Sequence, residues 1–339
     1  MMLRACLMKA KIKLFFLYVR CMSLKRLGNV LLIHCSFLLS KVTGIIFHWG
    51  NAFAVSVETV AGCNFQCPGC ETGAGMIGRK PGKMNIEQFK KILSKIPSTV
   101  FHINLHFQGE PLLHENIAEF VMIARSKNMF VSMSTNAQLL NEHIATQLIN
   151  AGLSQIIISI DGYDCESYDK YRKGGNFDTV VSNLRQLSAL KKHLKKNKPL
   201  IEVQTVVLSH NEYHLKEIEK LAFTSGADIF SMKTAYVTDL SSTPDYFPLQ
   251  KKYQRYHVLP DGGLKSIKQP ARFCFRMWSS CVITNNFLVV PCCFDKQGEF
   301  TSGNLLSDNF HDVFKGEYKK HLMQQLLKRK PMRICRNCI

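Results

Sequence analysis

The chain has 339 residues, 46% of them hydrophobic, thirteen cysteines and a formal net charge of +19. That length suits one large α/β domain with a smaller module, or two domains, and no run of about 20 uncharged apolar residues is present to make a spanning helix. The cysteines gather near residues 63–70 and 274–338 around a cysteine-poor middle, which fits metal binding in a reducing, cytoplasmic setting and excludes a small secreted disulfide scaffold. The positive charge favours polyanionic partners or anionic membrane surfaces and carries no information about fold.

Residues 1–53 read as a basic, apolar, helical extension. Arg4, Lys9, Lys11, Lys13 and Arg20 interrupt the apolar blocks of the first 21 residues. No small-residue cleavage site follows them, so no signal peptide is expected; Met22 is an alternative start. Residues 23–47 read as a helix that packs Leu24, Leu27, Val30, Leu31 and Leu38 on the domain. The alternative is a helix lying on a membrane surface, with the protein peripheral to it.

From residue 54 strands and helices alternate. Residues 54–60 read as a β-branched strand. Asn85 caps a helix to Lys95, with Phe89, Ile92 and Leu93 on one face. Residues 100–107 alternate as a strand, 117–126 as a helix and 130–134 as a strand. Asn141 caps the next helix and Gly152 ends it in a left-handed conformation. Strand 155–160, a helix from Asp178, strand 200–208, helix 211–224 and strand 229–233 follow. These six β/α repeats predict a parallel sheet, an open partial (β/α)6 barrel, with functional residues just beyond the strand ends. The domain is expected over 54–235. Residues 236–272, with four prolines, read as a linker, and 273–339 as a small cysteine-rich module.

Directly after the first strand stands Cys63-Asn-Phe-Gln-Cys67-Pro-Gly-Cys70. Short spacings let one loop wrap an iron–sulfur cubane, and three ligands leave one iron open. Structural zinc ordinarily takes four protein ligands and is the competing metal. This motif, with its Phe65 and the repeats that follow, resembles the radical S-adenosylmethionine (SAM) superfamily. The resemblance implies a [4Fe-4S] cluster on Cys63, Cys67 and Cys70, with SAM chelating the open iron. It implies reductive cleavage of SAM to methionine and a 5′-deoxyadenosyl radical, which takes hydrogen from a substrate. An electron donor such as flavodoxin or ferredoxin is implied as well.

By the same resemblance, SAM contacts fall at Gln108, Gly109 and Glu110, similar to the family's Gly-Gly-Glu element with Gln108 for its first glycine. They also fall at Ser134 and Asn136, at Ser159 and Asp161, and at Arg172, which matches an arginine paired with the SAM carboxylate. A strand-end role for Ser134, a turn at Asp161-Gly162 and a surface position for Arg172 are the competing readings.

The C-terminal module has Cys274, Pro291-Cys292-Cys293, Gly303-Asn304 and Cys335-Arg-Asn-Cys338. These resemble the SPASM/twitch extension, which implies one auxiliary [4Fe-4S] cluster on Cys274, Cys292, Cys335 and Cys338. Cys293 is the alternative to Cys292, because adjacent strand side chains point to opposite faces. Related enzymes act on peptides, protein side chains or small molecules such as sugars. Only about 53 residues precede the first strand, too few for the leader-binding domain of many peptide-modifying relatives. The expected function is a substrate oxidation by a radical SAM enzyme. The alternatives are a non-catalytic zinc protein, or an RNA-modifying enzyme suggested by charge alone, although no RNA-binding module is recognisable.

Overall fold

A computed structural model describes residues 2–237, 239–241, 243–336 and 338, with side chains from residue 10 onward apart from that of Arg336. The charges expected on Arg4 and Lys9 lie outside the described side chains. Helices α1 (Met2–Val19) and α2 (Leu24–Thr43) precede strand β1 (Ala54–Val57). Strands β2 (Val60–Ala61) and β3 (Gly82–Lys83) lie on either side of the first cysteine motif in the chain. Then come α3 (Ile86–Lys95), β4 (His102–Asn104), α4 (Ile117–Ser126), β5 (Phe130–Thr135), α5 (Glu142–Asn150) and β6 (Gln155–Ser159). Next are α6 (Cys165–Asp169), α7 (Phe177–His193), β7 (Leu200–Val207), α8 (Leu215–Thr224) and β8 (Ile229–Thr234). The chain finishes with β9 (Tyr256–Val258), β10 (Leu264–Ser266), α9 (Phe275–Ser279), β11 (Ser280–Ile283), β12 (Val289–Val290), α10 (Phe310–Lys315), α11 (Glu317–Leu327) and α12 (Arg333–Arg336). Two compact units interleave along it. One holds residues 1–17, 62–76 and 132–268, the other 18–61, 77–131 and 269–339.

In the first unit β5, β6, β7 and β8 lie side by side in chain order, every pair parallel. Helical crossovers through α5, α7 and α8 make that order the natural one. Met133, Ile156, Ile158 and Val203 are buried in the sheet, and Leu148, Leu184 and Ile218 in the helices. Asn141 accepts from the Ile144 amide as expected, and Gly152 takes φ +82° after α5. The cap of α7 is Asn176, two residues before the expected start at Asp178. Helix α8 begins at Leu215 and not at residue 211. The buried Asn211 side chain instead accepts from the Leu208 amide and donates to the carbonyls of Asp161 and Val206. The segment expected as a linker carries structure of its own. Strands β9 and β10 pair antiparallel over an apolar cluster of Val237, Phe247, Tyr256 and Leu264.

In the second unit the strand order is β12-β11-β1-β4. Both β4 and β11 run parallel to β1, and β12 returns antiparallel to β11. Strand β11 was not expected; it brings Cys281, a buried thiol pushed up to about 11 by desolvation, against Val55. Gly316, with its extended backbone, separates α10 from α11. A side chain there would bring its Cβ to 2.2 Å from the Asp312 carbonyl oxygen.

Helix α2 docks by the opposite face from the one expected. Its buried residues are Arg26, Asn29, Ile33, Ser36 and Ser40, whereas Leu24, Leu27, Leu31 and Leu38 are exposed and Val30 is half-buried. Arg26 donates to the carbonyls of Cys21, Ser98, Val100, Lys127 and Asn128. Asn29 exchanges two hydrogen bonds with the Asn51 backbone. Ser40 accepts from the Phe47 amide.

Two imidazoles of this unit are held neutral. Burial pushes His102 down to about 4. Burial, with the nearby Lys319 charge, pushes His48 down to about 3. The unfolded chain takes up these protons near pH 6.5 while the folded chain does not. Stability is therefore expected to fall as pH drops from about 6.5 to 4. His48→Phe should flatten that slope in thermal melts at stepped pH. An unchanged slope would show that His48 is not kept neutral.

Candidate functional site

The first cysteine motif lies wholly in the first unit, on a loop fixed by its own backbone. The Cys70 amide donates to the Cys67 carbonyl, the Ala74 amide to that of Cys70 and the Gln66 amide to that of Lys173. Cys63 is exposed, Cys70 half-buried and Cys67 buried. Desolvation pushes the Cys67 thiol up to about 11; Cys70, Asp161 and Cys63 add to this and Arg172 opposes it. The Phe65 amide donates to the Cys63 sulfur at 3.4 Å, and Asn136 Nδ2 lies 3.8 Å from it. N–H groups aimed at sulfur suit a thiolate better than a thiol.

Phe65, nearly fully buried, is seated on the Gly174-Gly175 turn. A Cβ on Gly175 would meet the Phe65 ring at 2.5 Å, and a Cβ on Gly73 would meet the Cys67 amide nitrogen at 2.7 Å. The glycines after the motif thus permit the loop to close on itself. Gly69 packs likewise against the Tyr171 hydroxyl.

Asp161, just past β6 and fully buried, accepts from Arg172 Nε at 2.6 Å and from the Val206 amide at 2.7 Å. Burial, the largest single influence, works against the Arg172 charge, but the Asp161 carboxylate together with Cys67, Tyr168 and Tyr171 raises the guanidinium pKa overall. Arg172 is thus no free surface residue; it is part of a buried ion pair. Asn136, just past β5, donates to Asn64 Oδ1 and accepts from the Gln138 amide. Ser134 and Ser159 are half-buried near the ends of their strands. The structure therefore brings Asn136, Asp161 and Arg172 to the strand ends of one unit together with the three cysteines. Gln108, Gly109 and Glu110 belong to the other unit. There the buried Glu110 caps the turn Pro111–Leu113 by accepting from the Leu112 amide. Asn64 and the loop glycines were not singled out from the sequence; the glycine spacing after Cys70 was the available signal.

The second cysteine group lies in the second unit. Cys274, Cys292 and Cys335 pack against one apolar cluster that includes Trp278, Met323 and Leu326. Cys293 packs against a different one, with Phe107, Val282 and Val290, and its sulfur accepts from Arg276 Nη1 at 3.0 Å. Desolvation raises Cys292, and Cys293, Cys335 and Cys274 add to it. Desolvation, with Cys274 and Cys338, pushes Cys335 up to about 12. Among the described residues no three His, Cys, Asp or Glu side chains stand close enough to hold a single metal ion. A cubane asks for a wider spacing, since each thiolate takes a different iron. A cavity of about 260 Å³ lies within this unit, lined by Ser56, His102, Asn104, Arg276, Cys292 and Cys293 among others.

The family model for the radical SAM superfamily matches residues 57–222, and that for the SPASM iron–sulfur cluster-binding domain matches residues 274–339. The chain belongs to the radical SAM superfamily, in its SPASM-type branch. It is an α/β radical SAM domain with a C-terminal SPASM domain, and its cofactors are SAM and [4Fe-4S] clusters. The mycofactocin maturase MftC of Mycobacterium ulcerans is 26% identical over 302 residues, 83% of this chain and 78% of that one. The AdoMet-dependent heme synthase of Methanosarcina barkeri is 27% identical over 174 residues, 51% of this chain and 48% of that one. The crystal structure of Streptococcus suis SuiB bound to precursor peptide SuiA superposes with a TM-score of 0.59 at 12% identity, over 84% of this chain and 68% of that one.

Proposed function

We propose that this radical SAM enzyme oxidises a peptide, a protein side chain or a small molecule such as a sugar, using the cluster of Cys63, Cys67 and Cys70 to cleave SAM and a second cluster to accept an electron. The observation that carries it is one loop bearing three thiols with amide donors aimed at Cys63, beside the buried Asp161–Arg172 pair. The donor set is all thiol, which suits iron–sulfur ligation. The bound cofactors supply a one-electron cleavage of the SAM sulfur–carbon bond and a carbon radical that takes hydrogen from the substrate.

The chain's residues supply position. Asn136 and the Phe65 amide stabilise the thiolate of Cys63. Asp161 holds Arg172 through Nε, and the terminal guanidinium nitrogens are assigned to the SAM carboxylate. Ser134 and Ser159, of the same unit, are assigned to the remainder of SAM. In this reading residues 54–235 cleave SAM, and 273–339 hold the second cluster on Cys274, Cys292, Cys335 and Cys338. The shared packing of Cys274, Cys292 and Cys335 favours Cys292 over Cys293. A one-electron carrier such as flavodoxin or ferredoxin would feed the first cluster.

SuiB, crystallised with a precursor peptide, shares the fold, and a peptide is the first substrate class to test.

After anaerobic reconstitution the protein should be brown and form 5′-deoxyadenosine from SAM with a strong reductant. Cys63→Ala should lower that rate by about 100-fold or more, as expected for removing a cluster ligand. Colourless, zinc-loaded protein, or SAM cleavage that survives Cys63→Ala, would sink the assignment.

A further inference from the structure

We infer that the outward face of α2 is a docking surface for an anionic phospholipid bilayer. Helix α2 is built inside out. At about 100° per residue, Leu24, Leu27, Leu31, Cys35, Leu38 and Val42 fall on one narrow stripe, about 180° from the centre of the buried face. That buried face is mostly polar, and its polar groups are satisfied by backbone partners within its own unit. Leu24 is 89% exposed and Val42 85%. Leu32, Ile45 and Trp49 extend the exposed apolar surface. A solvated helix places its leucines inward and its arginine, asparagine and serines outward; this one does the reverse and is nonetheless well anchored.

Charge selects the occupant. No acidic residue precedes Glu58. Lys25 and Lys41 flank the stripe on its two sides, and both are exposed. A second copy of this surface would oppose like charges, whereas anionic headgroups complement them. Taken by itself, α1 shows the same design. Ile12, Phe15, Phe16 and Val19 are exposed on one side, with Lys11 and Lys13 on its flanks. Among the described residues no single helix is long and apolar enough to cross a bilayer, although Ala10–Val19 and Leu24–Thr43 pass that test together as a bent pair. Because Arg26, Asn29 and Ser40 tie the opposite face of α2 to protein backbone, the attachment is that of a helix lying in the interface, its leucines among the acyl chains and its lysines at the headgroups.

The test is co-flotation of the reconstituted full chain with vesicles of phosphatidylcholine alone or with one third phosphatidylglycerol. Binding to the anionic vesicles is expected, weakened by 0.5 M salt because the lysine contribution is screened. Leu27→Ser/Leu31→Ser/Leu38→Ser should lower the bound-to-free ratio by about tenfold or more, with cluster absorbance and SAM cleavage unchanged. Lys25→Glu/Lys41→Glu should lower it on anionic vesicles only. Equal flotation of the wild type on both vesicle types, or undiminished flotation of the leucine variant, would overturn the inference. So would vesicle-independent self-association that the leucine variant abolishes, which would assign the face to a second copy. None of these readouts depends on the substrate or on SAM cleavage.

Discussion

Arg172→Ala is expected to destabilise the protein by about 3–5 kcal/mol, because it strands a buried carboxylate. Asp161 has no exposed surface on its side chain, and Arg172 has little. The Val206 amide and Arg172 Nε are the donors to its two oxygens, and an amide alone does not neutralise a charge in such a place. Arg172→Lys keeps the charge but loses the fixed guanidinium geometry, so it should recover part of the stability. Asp161→Asn leaves Arg172 buried without its carboxylate and should cost a similar amount. Urea unfolding of each variant measures these losses. A loss below about 1 kcal/mol for Arg172→Ala would mean that Asp161 finds another cation or takes up a proton. SAM binding separates the proposed role from the structural one: if Arg172 also meets the SAM carboxylate, Arg172→Lys should weaken SAM binding by more than its stability loss accounts for.

The parallel half of the fold was legible because periodicity and caps agreed. Asn85 and Asn141 cap α3 and α5 where expected, and α4 starts and stops at the expected residues. The first cysteine motif was legible because its spacing is local and needs no tertiary information. What failed were features decided by distant partners. The stripe of α2 was visible, but a stripe says only that two faces differ, not which one meets the protein. Arg26 settles that through carbonyls about 70 to 100 residues away in the chain. Strand β11 escaped notice because four residues after a short helical turn carry little periodicity, and its partner β1 lies over 200 residues earlier. The pairing of Asp161 with Arg172 was equally invisible: each was read as reaching toward a ligand, and the sequence contained nothing to show that they reach each other.

Glu58→Ala is expected to be the other large loss, again about 3–5 kcal/mol, with an effect concentrated on the C-terminal cysteines. Glu58 follows β1 and is fully buried. Its oxygens accept from Arg79 Nη1 at 2.6 Å, Arg79 Nη2 at 2.8 Å and the Asn285 amide at 3.0 Å. Arg79 in turn donates to the Lys296 carbonyl and to Asn285 Oδ1. One ion pair therefore fixes both ends of the segment from 285 to 296 that carries Cys292 and Cys293. Arg79→Met should cost a comparable amount by leaving Glu58 uncompensated. Because the penalty comes from stranding one charge, the double variant Glu58→Ala/Arg79→Met should be less damaged than the two single losses together predict. A coupling of at least about 2 kcal/mol is expected. It should not vanish altogether, since the Asn285 amide would still lose its acceptor. Iron and sulfide analysis of reconstituted Glu58→Ala should show the second cluster lost before the first, while Cys63, Cys67 and Cys70 keep theirs. Strict additivity in the cycle would show that the bidentate pair is a bystander, and equal loss of both clusters would show global unfolding rather than a loosened C-terminal loop.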